Sequence, residues 1–420
     1  MKAIFFLLFL LPMVIHGQNQ KQSSTRYHDD FNFFWTTIQD EYCYFDKKQT
    51  DWPKVKTTYA PIADTITHRE QFISLLEKVF CEIYDHHASL NTNTDLSQKM
   101  VPSSTDIWAE YSNNRAIITE IKHASNAEKN GMAAGMEISA FNNISIDEAI
   151  KPFLGSCVAS ENNEMKSYAL RLLLAGNHIQ HRKITAKING KTADYFPEDG
   201  QLPISNFKEI ARIESSVKQG IGYISINDCL YDNALIPEFD QVMKQMKTTK
   251  SLVLDLRNTP SGGNTTVAKA ILGWFIDQEH FYQKHEYTAE EKATGIKRSW
   301  MEIVSPRTGL YYGKPLVILA DHWTGSVGEA IVIGFDALNR PKTKIIGTKL
   351  ARLNGAISTF EMPDSKIKFS FPNEKLFHIN GKPRELFEPV ITIDLIKEKP
   401  TAAFDPFMLK ATQYLNSVTK

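Results

Sequence analysis

The chain has 420 residues, of which 42% are hydrophobic and 23% are charged. This length allows two or three domains, and the composition is that of an ordinary globular protein. Its 48 lysines and arginines balance its 48 acidic residues, so the formal net charge is zero. A neutral chain without a basic stripe argues against nucleic acid or an anionic membrane surface as its partner.

Residues 1–17, MKAIFFLLFLLPMVIHG, have the pattern of a secretory signal peptide. One lysine precedes an apolar run from Ala3 to Ile15, which is too short for a membrane span. No cysteine lies near the expected cleavage point, which argues against a lipid anchor, and no later segment has 18 uninterrupted apolar residues. We therefore expect a soluble protein that is secreted or periplasmic.

The cysteines of such a protein occupy a compartment that permits disulfides. Their spacing fits no metal motif and leaves their pairing open, and for a core of this size we favour buried free thiols. No cluster of His, Cys or carboxylate residues has ligand spacing, so we expect no metal and no organic cofactor. The four cysteines are Cys43, Cys81, Cys157 and Cys229.

The N-terminal part of the chain has apolar residues at helical spacing in two segments, residues 29–45 and 69–84. These segments predict a helical N-terminal domain over residues 18–100. The second segment runs into the sequence YDHHA at residues 84–88.

The next part of the chain changes to short strands, RAIITEI and GMEISAF, followed by helices near residues 145–154 and 165–174. A strand pair at residues 183–193 completes the pattern. It resembles a PDZ domain, which we predict over residues 101–198 as a peptide-binding unit, with Glu137 near the place of the usual aspartate.

From Gly220 onward the chain alternates strands and helices, which predicts an α/β domain with at least partly parallel strands over residues 199–420. Residues 277–312 are mostly polar and aromatic and predict a long loop. Residues 343–372 predict further strands.

Residues 315–338, PLVILADHWTGSVGEAIVIGFDAL, carry the clearest chemical signal. An apolar strand and a short polar turn precede Ser326, which opens an apolar helix. Free backbone N–H groups and the positive end of the helix dipole favour negative charge there. An enzyme would place a nucleophile whose attack creates an oxyanion at such a position. A purely structural serine is the alternative, because serine is a common helix N-cap.

A second strand, SLVLDLRNTPSGGN at residues 251–264, runs into a glycine-rich turn. Paired glycines let backbone N–H groups point at an anion, but neither nucleotide-binding glycine pattern is present. Two alternatives remain. The turn is either a plain tight turn or an oxyanion hole, in which the N–H of Gly262 or Gly263 acts together with that of Val327.

The DLR sequence at residues 255–257, the glycine pair, and Ser326-x-x-Glu329 together resemble the C-terminal-processing (tail-specific) serine peptidases. Relatives of that family include the tricorn core protease and interphotoreceptor retinoid-binding protein. The resemblance covers most of the chain after residue 17. It implies a multi-domain α/β fold with a crotonase/Clp-protease-like ββα core, a PDZ-like domain and a helical N-terminal domain.

Members of this family differ in the base that activates the serine. In one branch the base is a lysine, but here Leu353 or Asn354 occupies its place and Lys349 falls earlier in the chain. Lys349 stays an alternative base if its side chain reaches Ser326 from that position. The tricorn-like branch takes a histidine from the helical N-terminal domain, and His87 matches that histidine.

A glutamate completes the catalytic residues of the tricorn-like branch. Glu385 lies at the distance from Ser326 in sequence that this glutamate has from the nucleophile in that branch. Glu388 is a competitor, because the sequence after Glu385 departs from the family pattern. Glu329 lies on the same helix face as Ser326, so we expect it to order the site.

The resemblance therefore predicts a serine endopeptidase in which Ser326 attacks and His87 is the general base. The N–H groups of Gly262 and Val327 hold the oxyanion, and Glu385 supports the histidine. The PDZ-like domain would capture an extended polypeptide by strand addition, with the C-terminus of the polypeptide as the candidate point of capture.

The alternative is a catalytically inactive relative that binds a peptide or an apolar ligand on the same scaffold. The distance between the Ser326 hydroxyl and His87 distinguishes the two hypotheses, because catalysis needs them within hydrogen-bond reach. The sequence gives no indication of the oligomeric state.

Overall fold

The computed structural model describes residues 14–200, 210–401 and 403–419, so residues 1–13 of the predicted signal peptide lie outside the described part. No helix in that part is both long and apolar enough to cross a membrane. Its helices are α1 (Val14–Glu41), α2 (Trp52–Ala63), α3 (Arg69–Ile83), α4 (Asn126–Lys129), α5 (Ile146–Ala149), α6 (Asn163–Ala175), α7 (Leu235–Met246), α8 (Thr265–Leu272), α9 (Thr288–Thr294), α10 (Val327–Ala337), α11 (Leu395–Glu398) and α12 (Pro406–Val418). Its strands are β1 (Ser89–Leu90), β2 (Ile107–Ser112), β3 (Arg115–Ile121), β4 (Glu137–Phe141), β5 (Ile144–Ser145), β6 (Ile184–Ile188), β7 (Lys191–Tyr195), β8 (Ile213–Lys218), β9 (Ile221–Ile226), β10 (Ser251–Asp255), β11 (His280–Tyr287), β12 (Arg298–Val304), β13 (Leu316–Ala320), β14 (Thr343–Gly347), β15 (Ala356–Glu361), β16 (Lys368–Phe377) and β17 (Ile391–Thr392).

The core sheet has six strands in the order β17-β14-β13-β10-β9-β8. β8 and β9 are antiparallel, and the other neighbours are parallel. β10 and β13 are buried at every residue because helices cover both faces, with α7, α8 and α10 on one side and α12 on the other. This arrangement confirms the α/β fold class.

β10 and β13 are parallel neighbours, so their carboxyl ends meet at one edge of the core sheet. The glycine-rich turn follows β10, and the turn that leads into α10 follows β13. Two segments that are distant in sequence therefore begin side by side.

The middle sheet is antiparallel, in the order β2-β3-β4-β6-β7 with β5 beside β4. Helix α6 packs along β2, which is the edge strand. The helix predicted over residues 145–154 ends early, since α5 is followed by a 3₁₀ turn at Lys151–Phe153 that contains a proline. The strands agree with the pattern that predicted a PDZ-like domain, and the PDZ-like identity itself stays a prediction.

The third sheet is also antiparallel and contains β1, β16, β11 and β12 in that order, with β15 beside β16. The prediction of a long loop over residues 277–312 is wrong, because β11 and β12 pair with each other through this region. Their polar side chains have partners within the sheet. His285, for example, bonds to Glu374 at 2.9 Å and stacks on Trp300. Polar side chains in β11 and β12 therefore need not be exposed to solvent, because neighbouring strands supply their partners.

The three N-terminal helices share one hydrophobic core with the third sheet, which contributes Phe369 and Phe371. β1 follows the YDHHA sequence directly and pairs with β16. The predicted boundary at residue 100 therefore separates elements that are packed together, and the pairing of β1 draws residues 84–88 toward the C-terminal part of the chain. The prediction of free thiols is confirmed, since all four cysteines are buried and unpaired.

Candidate active site

The two turns at the edge of the core sheet are joined by backbone hydrogen bonds. The N–H of Thr259 donates to the carbonyl of Trp323 at 3.1 Å, and the N–H of Gly325 donates to the carbonyl of Thr259 at 3.2 Å. These bonds continue the parallel pairing of β10 and β13 beyond the strands. They bring the glycine pair to the start of α10.

Gly262 lies directly against Ser326. A Cβ at Gly262 would overlap the Cβ of Ser326, and it would lie 3.0 Å from the serine Oγ. The backbone of Gly262 also has a φ of +67°, which favours glycine. Gly263 is restricted in another way, since a Cβ there would overlap the carbonyl group of Leu230. Both glycines are needed for the close approach of these loops.

Ser326 itself has a strained backbone, with φ +51° and ψ −111° immediately before α10. Few non-glycine residues adopt this conformation, and such strain is concentrated at functional sites. The N–H of Ser326 donates to the carboxylate of Glu329 at 2.9 Å, which holds the strained residue in place.

Glu329 is fully buried and joins Ser326 to the segment after β14. Besides the serine N–H, its carboxylate accepts the N–H groups of Arg352 at 2.9 Å and Leu353 at 3.3 Å. Burial raises the pKa of this carboxyl to about 7. These contacts agree with the predicted ordering role of Glu329.

His87 meets Ser326 although 239 residues separate them in sequence. The Nε2 of His87 lies 3.1 Å from the Oγ of Ser326, and its Nδ1 lies 2.6 Å from the carbonyl oxygen of Asn354. A carbonyl oxygen only accepts hydrogen bonds, so Nδ1 carries the proton. Nε2 is then left with a lone pair that accepts the hydrogen bond from the Ser326 hydroxyl.

Asp85 holds the segment that carries His87. One oxygen of its carboxylate accepts the N–H of His87 at 2.9 Å. The other accepts the Nδ2 of Asn354 at 2.9 Å and the hydroxyl of Tyr42 at 2.7 Å. Asp85 thus fixes the histidine backbone and also the residue whose carbonyl orients the imidazole.

The electrostatic surroundings keep His87 neutral. Burial, followed by the positive charge of Arg384, lowers the pKa of His87 to about 4. The imidazole therefore has its acceptor lone pair available over the whole neutral range of pH.

Arg384 is a site residue that the sequence analysis missed. It is buried, and its guanidinium donates to the carbonyls of Leu353 at 2.9 Å, Gly355 at 2.8 Å and Ser326 at 3.3 Å. It thereby joins the segment around Asn354 to the serine turn. The only signal in the sequence was its place beside Glu385.

In the described part of the chain, Glu385 makes no hydrogen bond or ion pair with His87. Its buried carboxylate bonds to Lys47, and the Nδ1 of His87 faces a backbone carbonyl instead. The prediction that Glu385 supports the imidazole directly is therefore not borne out by the contacts in the described part of the chain. Its competitor Glu388 is exposed and lies 3.7 Å from Arg352.

Lys349, the alternative base, is not supported by a contact with Ser326 either. Within the described residues, Lys349 makes no hydrogen bond or ion pair with Ser326, whose hydroxyl is bonded to His87. Asn354, one of the two residues expected at the place of that lysine, contributes the carbonyl that binds the imidazole.

The predicted oxyanion donors lie beside the serine. Val327 is the first residue of α10, so its N–H has no acceptor within the helix. The N–H of Gly262 donates to the carbonyl of Thr259, but at a long distance of 3.3 Å. Among the described residues the N–H of Gly263 has no acceptor.

Peptide capture by strand addition requires a strand edge with free backbone groups. In β2, next to α6, side chains already bond to these groups. The N–H of Tyr111 donates to the hydroxyl of Ser167 at 2.8 Å, and the carbonyl of Ala109 accepts from Arg171 at 3.4 Å. A peptide that added to this edge would have to displace both bonds.

Two family models match the chain. Residues 220–391 match the model of Peptidase family S41, and residues 23–81 match the model of the Tricorn protease C1 domain. The first match contains Ser326, the glycine pair and Asn354, and the second ends six residues before His87. No curated protein matches the sequence.

Several solved structures share this fold. A putative peptidase from Parabacteroides merdae has a TM-score of 0.57 at 14% identity, with 93% of this chain and 96% of that chain covered. Mature CPAF has a TM-score of 0.59 at 15% identity, with 95% and 97% covered. The photosystem II D1 C-terminal processing protease has a TM-score of 0.54 at 15% identity, with 88% and 93% covered. At these identities the likeness is one of fold.

Proposed function

Because the chain belongs to peptidase family S41 and is therefore a serine peptidase, we propose that Ser326 is its nucleophile and His87 its general base. The observation that carries this proposal is the 3.1 Å hydrogen bond between the Ser326 hydroxyl and the Nε2 of His87. A serine hydroxyl is a poor nucleophile until a base takes its proton, and the unprotonated Nε2 is the group that can take it.

In the first step Oγ of Ser326 attacks the scissile carbonyl carbon while its proton moves to Nε2 of His87. The resulting imidazolium then gives this proton to the leaving amine, and the substrate acyl group stays on Oγ. In the second step His87 takes a proton from a water molecule, whose oxygen attacks the acyl carbon. The bond between this carbon and Oγ then breaks, and the imidazolium returns the proton to Oγ, which releases the acid product and restores the serine.

The negative charge of each tetrahedral intermediate requires donors beside Ser326. We assign this role to the N–H of Val327 together with the glycine turn. Gly262 fits if its long bond to Thr259 opens in the complex, and Gly263 is the alternative donor.

The carbonyl of Asn354 takes the part that a carboxylate has in other serine peptidases, because it fixes the tautomer and the orientation of the imidazole. Glu385 is not part of this proton path, since its partner is Lys47. Glu329 and Arg384 act through the backbone on either side of Ser326.

The substrate class implied is a polypeptide. Capture of the substrate C-terminus at the edge of β2 beside α6 would have to displace the side-chain partners that this edge already has. Residues 1–17 support export from the cytoplasm, and we propose a secreted or periplasmic protein.

The binding-protein alternative predicted that the serine and the histidine would lie too far apart for proton transfer. The 3.1 Å distance favours catalysis, and no contact in the described residues specifically favours the alternative.

The test is incubation of the protein and its Ser326→Ala variant with an unfolded protein substrate, with fragments identified by mass spectrometry. We expect the variant to lose at least roughly 1000-fold in cleavage rate, since it lacks the hydroxyl that would form the acyl-enzyme. Ser125→Ala is the matched control, because Ser125 also caps a helix but lies in the connection between β3 and β4. Cleavage that survives Ser326→Ala would show the assignment to be wrong.

A further inference from the structure

Arg171 in helix α6 has three partners, two in strand β2 and one in the segment that carries His87. Its Nη1 donates to the carbonyl of Ala109 in β2 at 3.4 Å, and its Nε donates to the Nε2 of His86 at 3.1 Å. The guanidinium carbon also lies 4.8 Å from the ring centre of Trp108, a cation–π contact. The last two partners lead to the two segments of the candidate active site.

The first route runs through His86, which directly precedes His87. The ring of His86 stacks on Tyr168 of the same helix with a centroid distance of 4.4 Å. Its Nε2 accepts the proton of Arg171, so this imidazole is neutral. The side chain of His86 is thus held by α6, while the backbone of the next residue presents His87 to Ser326.

The second route runs through Trp108 to the turn before Ser326. The indole of Trp108 stacks on the ring of His322, with a centroid distance of 4.6 Å and an angle of 27°. His322 lies four residues before Ser326, and its Nδ1 bonds to Glu120 of β3. The middle sheet therefore contacts the turn that precedes Ser326.

We propose that Arg171 is a positioning residue. It holds the segments of His87 and Ser326 against the middle sheet, so that the imidazole stays within hydrogen-bond distance of the serine hydroxyl. This inference rests on the proposed function of the two residues. In this arrangement the middle sheet and α6 hold both segments of the active site, and Arg171 of α6 connects the two routes.

A merely stabilising residue on α6 should behave differently, and Ser167 offers that comparison. Ser167 lies one helical turn before Arg171 and bonds to the same edge strand, but within the described residues it has no hydrogen bond to His86 or Trp108. Ser167→Ala is therefore the matched control. It removes a bond between α6 and β2 and leaves both routes to the active site intact.

The experiment compares kcat, KM and thermal unfolding for Arg171→Met, Arg171→Lys and Ser167→Ala, with a peptide substrate cleaved by the unaltered protein. We expect Arg171→Met to lower kcat roughly 10- to 100-fold with KM little changed, because small displacements of reacting groups have effects of this size. Arg171→Lys keeps the charge over Trp108 but not the planar fork, so we expect an intermediate kcat. Ser167→Ala should keep the kcat of the unaltered protein even if it unfolds at a lower temperature.

Unchanged kcat in Arg171→Met, or an equal loss in Ser167→Ala, would overturn the positioning role. If Arg171→Met does not fold, Arg171→Lys decides, since a folded variant with full kcat contradicts the proposal equally. Ser326→Ala is measured in parallel. Cleavage that survives in it contradicts the proposed function, whereas cleavage lost in it but kept in Arg171→Met contradicts only the role of Arg171.

Discussion

The proposed nucleophile and its proposed base are held by contacts of different range. Ser326 is fixed by the turn that contains it and by Glu329, three residues further along. His87 is fixed from far away, because its imidazole is oriented by the carbonyl of Asn354, 267 residues later in the chain. Between them, Arg384 joins the segment of Asn354 to the carbonyl of Ser326.

Because of this difference, we expect the serine half and the histidine half of the site to differ in how well they tolerate substitutions. The serine turn depends on close backbone packing at Gly262, so a single added carbon should disturb it. The position of the histidine depends on several hydrogen bonds that share Asp85. We therefore expect each bond that is removed to disturb the orientation of the imidazole only in part. Substitutions in each half can test the comparison.

The largest expected effect in the histidine half comes from His87→Gln. Glutamine has hydrogen-bonding groups but no basic nitrogen, so we expect a loss of roughly 1000-fold or more in kcat/KM at neutral pH. His178→Gln is the control, because His178 is exposed and bonds to Asn93 rather than to the site. A His87→Gln variant within tenfold of the unaltered protein would remove His87 from the role of base.

The corresponding change in the serine half is Gly262→Ala. The added Cβ overlaps the Cβ of Ser326, so we expect kcat to fall roughly 100-fold as the nucleophile is displaced. Gly190→Ala is the control, since Gly190 also has a positive φ but open space around a Cβ. Both variants should lose about 1 kcal/mol of stability from backbone strain. Equal kcat values in the two variants would show that close packing at Gly262 does not matter for catalysis.

A smaller effect is expected from Asp85→Asn. The new amide replaces one of the two oxygens that accept from His87, Asn354 and Tyr42, so we expect kcat to fall roughly tenfold. Asp147→Asn serves as the control, because Asp147 accepts a tyrosine hydroxyl in the middle sheet. If Asp85→Asn had the activity of this control, the contacts of Asp85 would not position the imidazole.

The sequence predicted the part of the site whose geometry is local. Ser326 before an apolar helix and the glycine pair after an apolar strand are adjacent because the two strands are parallel neighbours. Each of these strands and helices can be recognised by its own apolar residues and their spacing. This half of the site could therefore be predicted from the sequence and a family resemblance.

The other half could not be derived in the same way. A backbone carbonyl has no residue-type signal, so nothing in the sequence marks Asn354 as the partner of His87. The family spacing pointed to Glu385, whose carboxylate is instead paired with Lys47 from the helical region. The strands of residues 280–304 were missed for a related reason, since their polar side chains are satisfied by partners on neighbouring strands.

The central claim is that neutral His87 activates Ser326, and its most direct test is the rate at which a fluorophosphonate labels Ser326 as a function of pH. The neutral fraction of His87 falls as the pH drops through its pKa of about 4. Because this pKa is lower than that of an unfolded histidine, stability also declines between pH 6.5 and about 4, so folding is checked by circular dichroism at each pH. Glu329→Gln is included, because burial raises the pKa of Glu329 to about 7.

We expect a single adduct on Ser326, with a labelling rate that is maintained below pH 6.5 and halves near pH 4. This acid limb should persist in Glu329→Gln, and labelling should be nearly abolished in His87→Gln. Labelling of another residue, or a rate and pH profile unchanged in His87→Gln, would contradict the account.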